Sequence, residues 1–455
     1  MNKQVSDLID SYGAEFTATL EKWIRVPSVK AEPAPGAPFG PEVRRMLDVA
    51  LADAAAMGFA TRDFDGYACD ITLPGKTDEL LAVLGHLDVV PAGDGWETPP
   101  FEPVIRNDRM YGRGTMDDKG PSLAALFAMK ALKEAGVPLK RGIRMILGCD
   151  EESGWEDMAY YQQKETIPPM GFSPDSSFPI INTEKAMLGF LLKADVNATG
   201  LKILSMNAGQ RTNVIPGEAK VLVEGGDEVI AAVKDWSSRS GLDCKAVKTA
   251  EGVEITATGI SGHAAYPEGR RNAIGMLLKL LKDLGAEGPI ATLADAVGME
   301  TDAASLGAAY EDAVSGPTTN NLGLMKVENN VLTATLDLRV PVTADLGKMV
   351  KDIQAHLPGI QAECTKVTPP HHVPADSELV SQLLAAYHEE TGLPAHEMST
   401  GGGTYAKVLQ QGVAFGATFP DDEDLAHQAG EYAVLPRLIL TAKIYANALL
   451  RLCGE

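Results

Sequence analysis

The sequence predicts an α/β fold, with a mixed, mostly parallel sheet between helices and an inserted α+β domain. Three observations predict it. Short apolar runs alternate with helical periodicity over residues 1–185. The pattern then changes to half-exposed, alternating strands such as VEITATGI and LTATLDLRV over residues 186–375. From residue 376 to 455 the chain returns to helices and buried strands. The expected organisation is one domain in two parts, 1–185 and 376–455, with 186–375 inserted between them.

Each element has its own signal. Phe16, Leu20, Trp23 and Ile24 recur at helical spacing, and the VPS that follows Arg25 ends the pattern. A second helix fits residues 41–57, with Pro41 in its first turn and Gly58 at its stop. LLAVLGHLDVVP reads as a buried strand running into a loop. Residues 121–136 read as a helix with Pro near its start and Gly at its end. GIRMILGCDEES is again strand then loop, and FPIINTEK is a third apolar strand. Two long helices, 272–284 and 345–357, fall between strands of the insert.

Bulk properties exclude several classes. A chain of 455 residues is too long for one ordinary core, so more than one structural unit is expected. The formal net charge of -22 repels nucleic acid and anionic lipid, so neither is an expected partner. The five cysteines are scattered without CxxC spacing, which argues against a disulfide framework or a cysteine metal site. The first residues are polar, and no apolar run is long enough to span a bilayer. A cytoplasmic protein is expected.

In parallel sheets, chemistry gathers in loops at the carboxyl ends of strands. His86 and Asp88 sit two apart in GHLD and can face the same way on extended chain. They suit a metal ligand with its orienting acceptor, or simply a loop histidine near a turn aspartate. Asp117 and Asp118 precede a helix, where an N-cap role is equally natural. Glu151 and Glu152 follow the apolar run ending at Leu147, Asp175 lies in FSPDSSFP, and His427 lies in LAHQAGE. Carboxylates with imidazoles suit zinc, manganese or cobalt. STGGGTYAKVL lacks the GxxxxGK[ST] signature of a phosphate loop. His371 and His372 in PPHHVP read as part of an interdomain connector.

Six motifs, GHLDVVP, GRGTMDDKG, DEESGW, SPDSSFP, GGGTYA and AHQAGE, occur in this order. Together they resemble the dinuclear zinc peptidases of family M20, which include aminoacylases, desuccinylases, carboxypeptidases and dipeptidases. DEESGW followed by FSPDSSFPIINTEK is most similar to the PepV-type bacterial dipeptidases. The resemblance implies a catalytic domain carrying an inserted lid domain. It implies two zinc ions, with manganese or cobalt as substitutes. His86 and Asp175 would serve one ion, Glu152 and His427 the other, and Asp117 would bridge both, followed by a cis peptide bond. Glu151 would be the general base that activates a zinc-bridging hydroxide, and Asp88 would orient His86. His263 in SGHAAYP would steady the oxyanion. Asn213 and Arg339 would contact substrate, Arg339 by pairing with the substrate's C-terminal carboxylate. Gly402, Gly403 and Thr404 would wall the cleft, with backbone N–H groups free at a helix start. Two residues depart from the family pattern: Gly269 comes one position early, and Gly430 stands where the family often has asparagine. The implied activity is hydrolysis of dipeptides with a free N-terminus. Deacylation of N-acyl amino acids on the same metal centre is the alternative. An insert of this size implies a monomer.

Overall fold

The computed structural model describes residues 2–196 and 200–455. The chain divides into two compact units. Met1–Asn182, Val373–Met398 and Gly403–Glu455 form the first; Thr183–His372 and Ser399–Gly402 form the second.

The first unit is built on a mixed sheet. Its centre is parallel: Gly142–Gly148, Leu80–His86, Met170–Ser173 and Gln411–Ala414 lie side by side in that order. The outer strands Ala60–Phe64 and Ala68–Leu73 continue the sheet antiparallel beyond Gly142–Gly148. Past the other side of the centre, Ile181 pairs antiparallel with Ala414. Parallel neighbours need a crossover. The helix Lys119–Glu134 supplies it between Leu80–His86 and Gly142–Gly148. That helix is buried on every side from Lys119 to Leu132, which explains its run of alanines. It packs against the C-terminal helix Leu435–Cys453. It starts two residues before the span read from the sequence, because Lys119 and Gly120 already lie in its first turn. The core collects Phe16, Trp23, Leu81, Val83, Phe127, Met145, Phe172, Phe415 and Tyr445, all fully buried. Each such side chain contributes roughly 1.5–3 kcal/mol of burial.

The Leu80–His86 strand ends against that helix. A Cβ on Gly85 would come within 1.9 Å of Ser122 Oγ and 2.8 Å of Asp118 Oδ2. Glycine is therefore required for the helix start to approach the strand beside His86.

The second unit carries an eight-stranded sheet whose pairings are all antiparallel. Its strands alternate buried and open positions, as in Val253–Thr258, so one face is covered and the other is not. Ala273–Asp283 and Leu346–Ala355 are helices, with Asn272 and Asp345 as their N-caps. Two further helices, Asp227–Ser240 and Pro289–Ala296, were not anticipated. Asp227–Ser240 buries only Val233 and Trp236, so its apolar periodicity is faint. His371 and His372 form a two-residue strand against Glu184 and Thr183, where a plain connector was expected. Among the described residues, no helix is long and apolar enough to cross a membrane.

Candidate metal centre

The strand ends of the first unit bring one set of carboxylates and imidazoles together. His86 ends its strand fully buried. Its Nδ1 lies 3.0 Å from the Asp88 carbonyl and 3.4 Å from Asp88 Oδ1. Its Nε2 lies 3.0 Å from Asp117 Oδ1 and 3.7 Å from Asp175 Oδ2. The other oxygen of Asp117 lies 3.0 Å from His427 Nε2. His427 Nε2 is also 2.9 Å from Glu152 Oε2. Asp117 thus stands between two imidazoles, one on each carboxylate oxygen.

Asp118 turns the other way. It is fully buried, accepts from Ser122 Oγ at 2.7 Å, and accepts from the His86 backbone N–H at 3.2 Å. The peptide bond between Asp117 and Asp118 is cis, as the family resemblance implies.

Two groups of potential ligand atoms emerge, each within 4.8 Å of one another: His86, Glu151 and Asp175, and Asp117, Glu152 and His427. Glu151 therefore falls beside His86 and Asp175, while its neighbour Glu152 faces His427. Consecutive residues of the loop serve the two groups because the loop is held from behind. Asp88 Oδ1 accepts the Glu151 N–H and Asp88 Oδ2 the Glu152 N–H, both at 3.1 Å. Asp157 Oδ2 accepts the N–H groups of Cys149 at 2.6 Å and Asp150 at 2.8 Å, and the Tyr405 hydroxyl donates to the same oxygen. Asp150 is buried and paired with Lys30 at 2.6 Å, so it points away from the other two acids.

The loop that carries Asp117 is held in the same way. Lys119 is fully buried and donates to the carbonyls of Trp23 at 3.1 Å and Val26 at 2.8 Å. Glu431, also fully buried, pairs with Arg113 at 2.5 Å. Glu431 escaped sequence reasoning. A lone acid after AHQAG carries no periodicity or pair signal, and only its contacts reveal its place. Gly430 has φ +81°, a left-handed conformation open to glycine and asparagine alike, which accounts for the exchange between those two residues.

The electrostatics show what the cluster suits. Burial pushes Glu151 and Asp175 well above the usual carboxylate range, with neighbouring carboxylates adding to it. Glu152 is raised by burial and by Asp117. His427 is pushed up to about 10: burial works downward, but Asp117 and Glu152 outweigh it. His86 is raised well above its ordinary value against the same burial, by Asp117 and Asp88. So many acids at one buried point are compatible with ionisation only if positive charge is supplied. The donors, carboxylate oxygen and imidazole nitrogen, fit borderline-hard divalent ions. The residues present therefore fit a divalent metal.

A model of peptidase family M20/M25/M40 matches residues 82–451. The chain belongs to this family. The M20 peptidase is thus a hydrolase of the metallopeptidase class. Over 445 residues it is 36% identical to YtjP of Bacillus subtilis, a candidate dipeptidase by name, covering 95% of this chain and 96% of that one. A candidate dipeptidase of Staphylococcus aureus is 34% identical over 466 residues, covering 98% and 99%. Human carnosine dipeptidase 1 shares the fold at a TM-score of 0.60 and 16% identity, covering 99% and 98%. The yeast dipeptidase Dug1p does so at 0.61 and 15%, covering 98% of each chain. Family membership implies a divalent metal, in keeping with the donor set above.

The remaining sequence candidates of this peptidase lie elsewhere in the fold. In the second unit, His263 is exposed at the end of a two-stranded ribbon in which it pairs with Val214, next to Asn213. The Ala264 N–H donates to the Asn213 carbonyl at 2.9 Å. Arg339 is 6% exposed and already engaged: Nη1 donates to Gly401 O at 2.6 Å and Nη2 to Asp337 Oδ2 at 2.7 Å. Thr400 Oγ1 meets the Tyr266 hydroxyl at 3.0 Å, so the segment ending at Gly402 touches both the His263 loop and Arg339. The Gly402 N–H is not free as expected, because it donates to Thr400 Oγ1 at 2.9 Å. The helix start expected after Gly403 is one 3-10 turn, Tyr405–Val408, whose Ala406 N–H the Thr404 hydroxyl caps. The chain re-enters the sheet at Gln411, where a Cβ on Gly412 would come within 2.0 Å of the Ala406 carbonyl oxygen.

Proposed function

We propose that the chain is a metal-dependent dipeptidase acting on dipeptides with a free N-terminus. The observation that carries this reading is the Asp117 carboxylate, 3.0 Å from His86 through one oxygen and 3.0 Å from His427 through the other. A carboxylate so placed suits a bridge between two ions. His86 and Asp175 would complete one site, and Glu152 and His427 the other. Zinc is the metal proposed, with manganese or cobalt as substitutes. Divalent ions held there acidify water and polarise the scissile carbonyl.

The chain's own residues supply the rest. Glu151 takes the proton of the attacking water on its carboxylate and delivers it to the leaving amine nitrogen. Asp88 fixes the imidazole of His86 and the backbone of Glu151 and Glu152. His263 steadies the developing oxyanion. Arg339 takes the substrate carboxylate with the N–H groups that Gly401 and Asp337 leave available. Asn213, Gly402, Gly403 and Thr404 contact substrate. The protein works as a monomer.

The test offers the metal-loaded protein alanyl dipeptides, N-terminally blocked dipeptides and N-acetyl amino acids. Turnover of the free dipeptides alone is expected. Turnover of N-acetyl amino acids without dipeptide cleavage would overturn the reading in favour of a deacylase.

A further inference from the structure

The loop from Gly112 to Asp117 and the segment from His427 to Glu431 meet at one side chain. Glu431 is fully buried in the first unit. Its Oε1 accepts the backbone N–H groups of Gly114 at 2.9 Å, Met116 at 2.9 Å and Asp117 at 3.4 Å. Its Oε2 takes the Arg113 guanidinium at 2.5 Å. The connection runs both ways, because the Gly112 N–H donates to the Glu431 carbonyl at 3.0 Å, and Tyr111 pairs with Tyr432 as neighbouring strands. Four residues before Glu431 stands His427, whose backbone is left-handed at φ +63°. That conformation costs energy in a non-glycine residue and persists only where its surroundings enforce it.

We propose that Glu431 is a positioning residue of the metal centre: one carboxylate clamps the loop that carries Asp117 to the segment that carries His427. Three converging N–H groups make a concave site that only an oxygen acceptor fills, and a carboxylate fills it with charge-assisted bonds. The Arg113 pair neutralises that carboxylate in a dry interior. Aspartate is one methylene too short to replace it without drawing the two segments together. Outer partners of this kind set ligand orientation, and their loss costs about 10–100-fold in metal affinity. The proposal rests on reading Asp117 and His427 as metal ligands.

The test compares Glu431→Ala, Glu431→Gln and His427→Ala in the full-length protein. Affinity is read by chelator competition with Zn²⁺ and geometry by the visible absorption of the Co²⁺-loaded protein. Glu431→Ala is expected to bind about 10–100-fold more weakly with an altered Co²⁺ spectrum. Glu431→Gln keeps an oxygen acceptor and is expected to recover most of both. A folded Glu431→Ala protein with unchanged affinity and spectrum overturns the clamp. Alanine also leaves Arg113 unpaired, so the double variant Arg113→Met with Glu431→Gln removes the charge pair and keeps the acceptor. Near-normal affinity in it supports the clamp through the backbone N–H groups, and a loss as large as that of His427→Ala overturns it. Undiminished affinity in His427→Ala overturns the assignment of the centre itself.

Discussion

Adjacent acids at residues 150–152 do unlike things because each meets a different neighbour. Asp150 is held by Lys30, Glu151 is near His86 and Asp175, and Glu152 faces His427. Replacing Glu151 by alanine is therefore expected to lower turnover a hundredfold or more. Metal content, measured by elemental analysis, is expected to stay near that of the parent. Unchanged turnover would remove Glu151 from the role of base. Arg339→Lys tests the other end of the substrate. Lysine has no planar fork and does not satisfy both Gly401 and Asp337, so KM for dipeptides is expected to rise about tenfold or more. An unaltered KM would mean that the substrate carboxylate is held elsewhere.

Among elements, the ribbon carrying Asn213 and His263 depends on a side chain distant in sequence. Asn321 Nδ2 donates to the carbonyls of Thr212 at 2.9 Å and Val214 at 3.0 Å, on either side of Asn213. Asn272, the N-cap of the Ala273–Asp283 helix, donates to Asn321 Oδ1 at 3.0 Å. Helix start, sheet and ribbon thus share one amide network. Asn321→Ala is expected to cut kcat/KM about tenfold or more by letting the ribbon shift. Metal affinity is expected to be untouched; kinetics equal to the parent's would count against the ribbon's role. A second element shows the effect of pH. Burial raises the Asp312 pKa, but the N–H and hydroxyl groups of Ser315 and Thr343 outweigh it and hold it at about 2, below its ordinary 3.8. A depressed carboxylate stabilises the fold above the unfolded value and loses that contribution as pH falls through the folded one. Asp312→Asn is therefore expected to lower the metal-free Tm at pH 6, with the gap to the parent closing between about pH 4 and pH 2. A gap independent of pH would show that hydrogen bonding alone, and not ionisation, matters there.

For the whole molecule, the buried acids couple metal to stability. Glu151, Glu152 and Asp175 all resist ionisation where they stand, and cations relieve them. Removing metal with a chelator is expected to lower Tm by several degrees, and added Zn²⁺ to restore it. Ligand at 100 times its Kd stabilises a fold by about 2.7 kcal/mol. A Tm indifferent to chelator and to added zinc would argue that the cluster holds no ion. Light scattering tests the proposed monomer, and an obligate dimer would overturn it.

Local signals carried much of this protein. Unbroken apolar runs such as LLAVLG mark buried parallel strands, alternation marks one-faced sheet, and Pro41 marks a helix start. The six ordered motifs identified the family because a metal site needs particular donors at strand ends, and those donors are spelled out residue by residue. What the tertiary structure alone decided is how distant groups meet. The Asp117 carboxylate lies between two imidazoles 341 positions apart in the chain, His86 and His427. Asp118 turns to Ser122, Glu431 caps the loop of Asp117, and Asn321 grips the ribbon of Asn213. Neither periodicity nor spacing encodes such contacts. They arise when packing brings unsatisfied donors and acceptors into a dry interior, where each must find a partner.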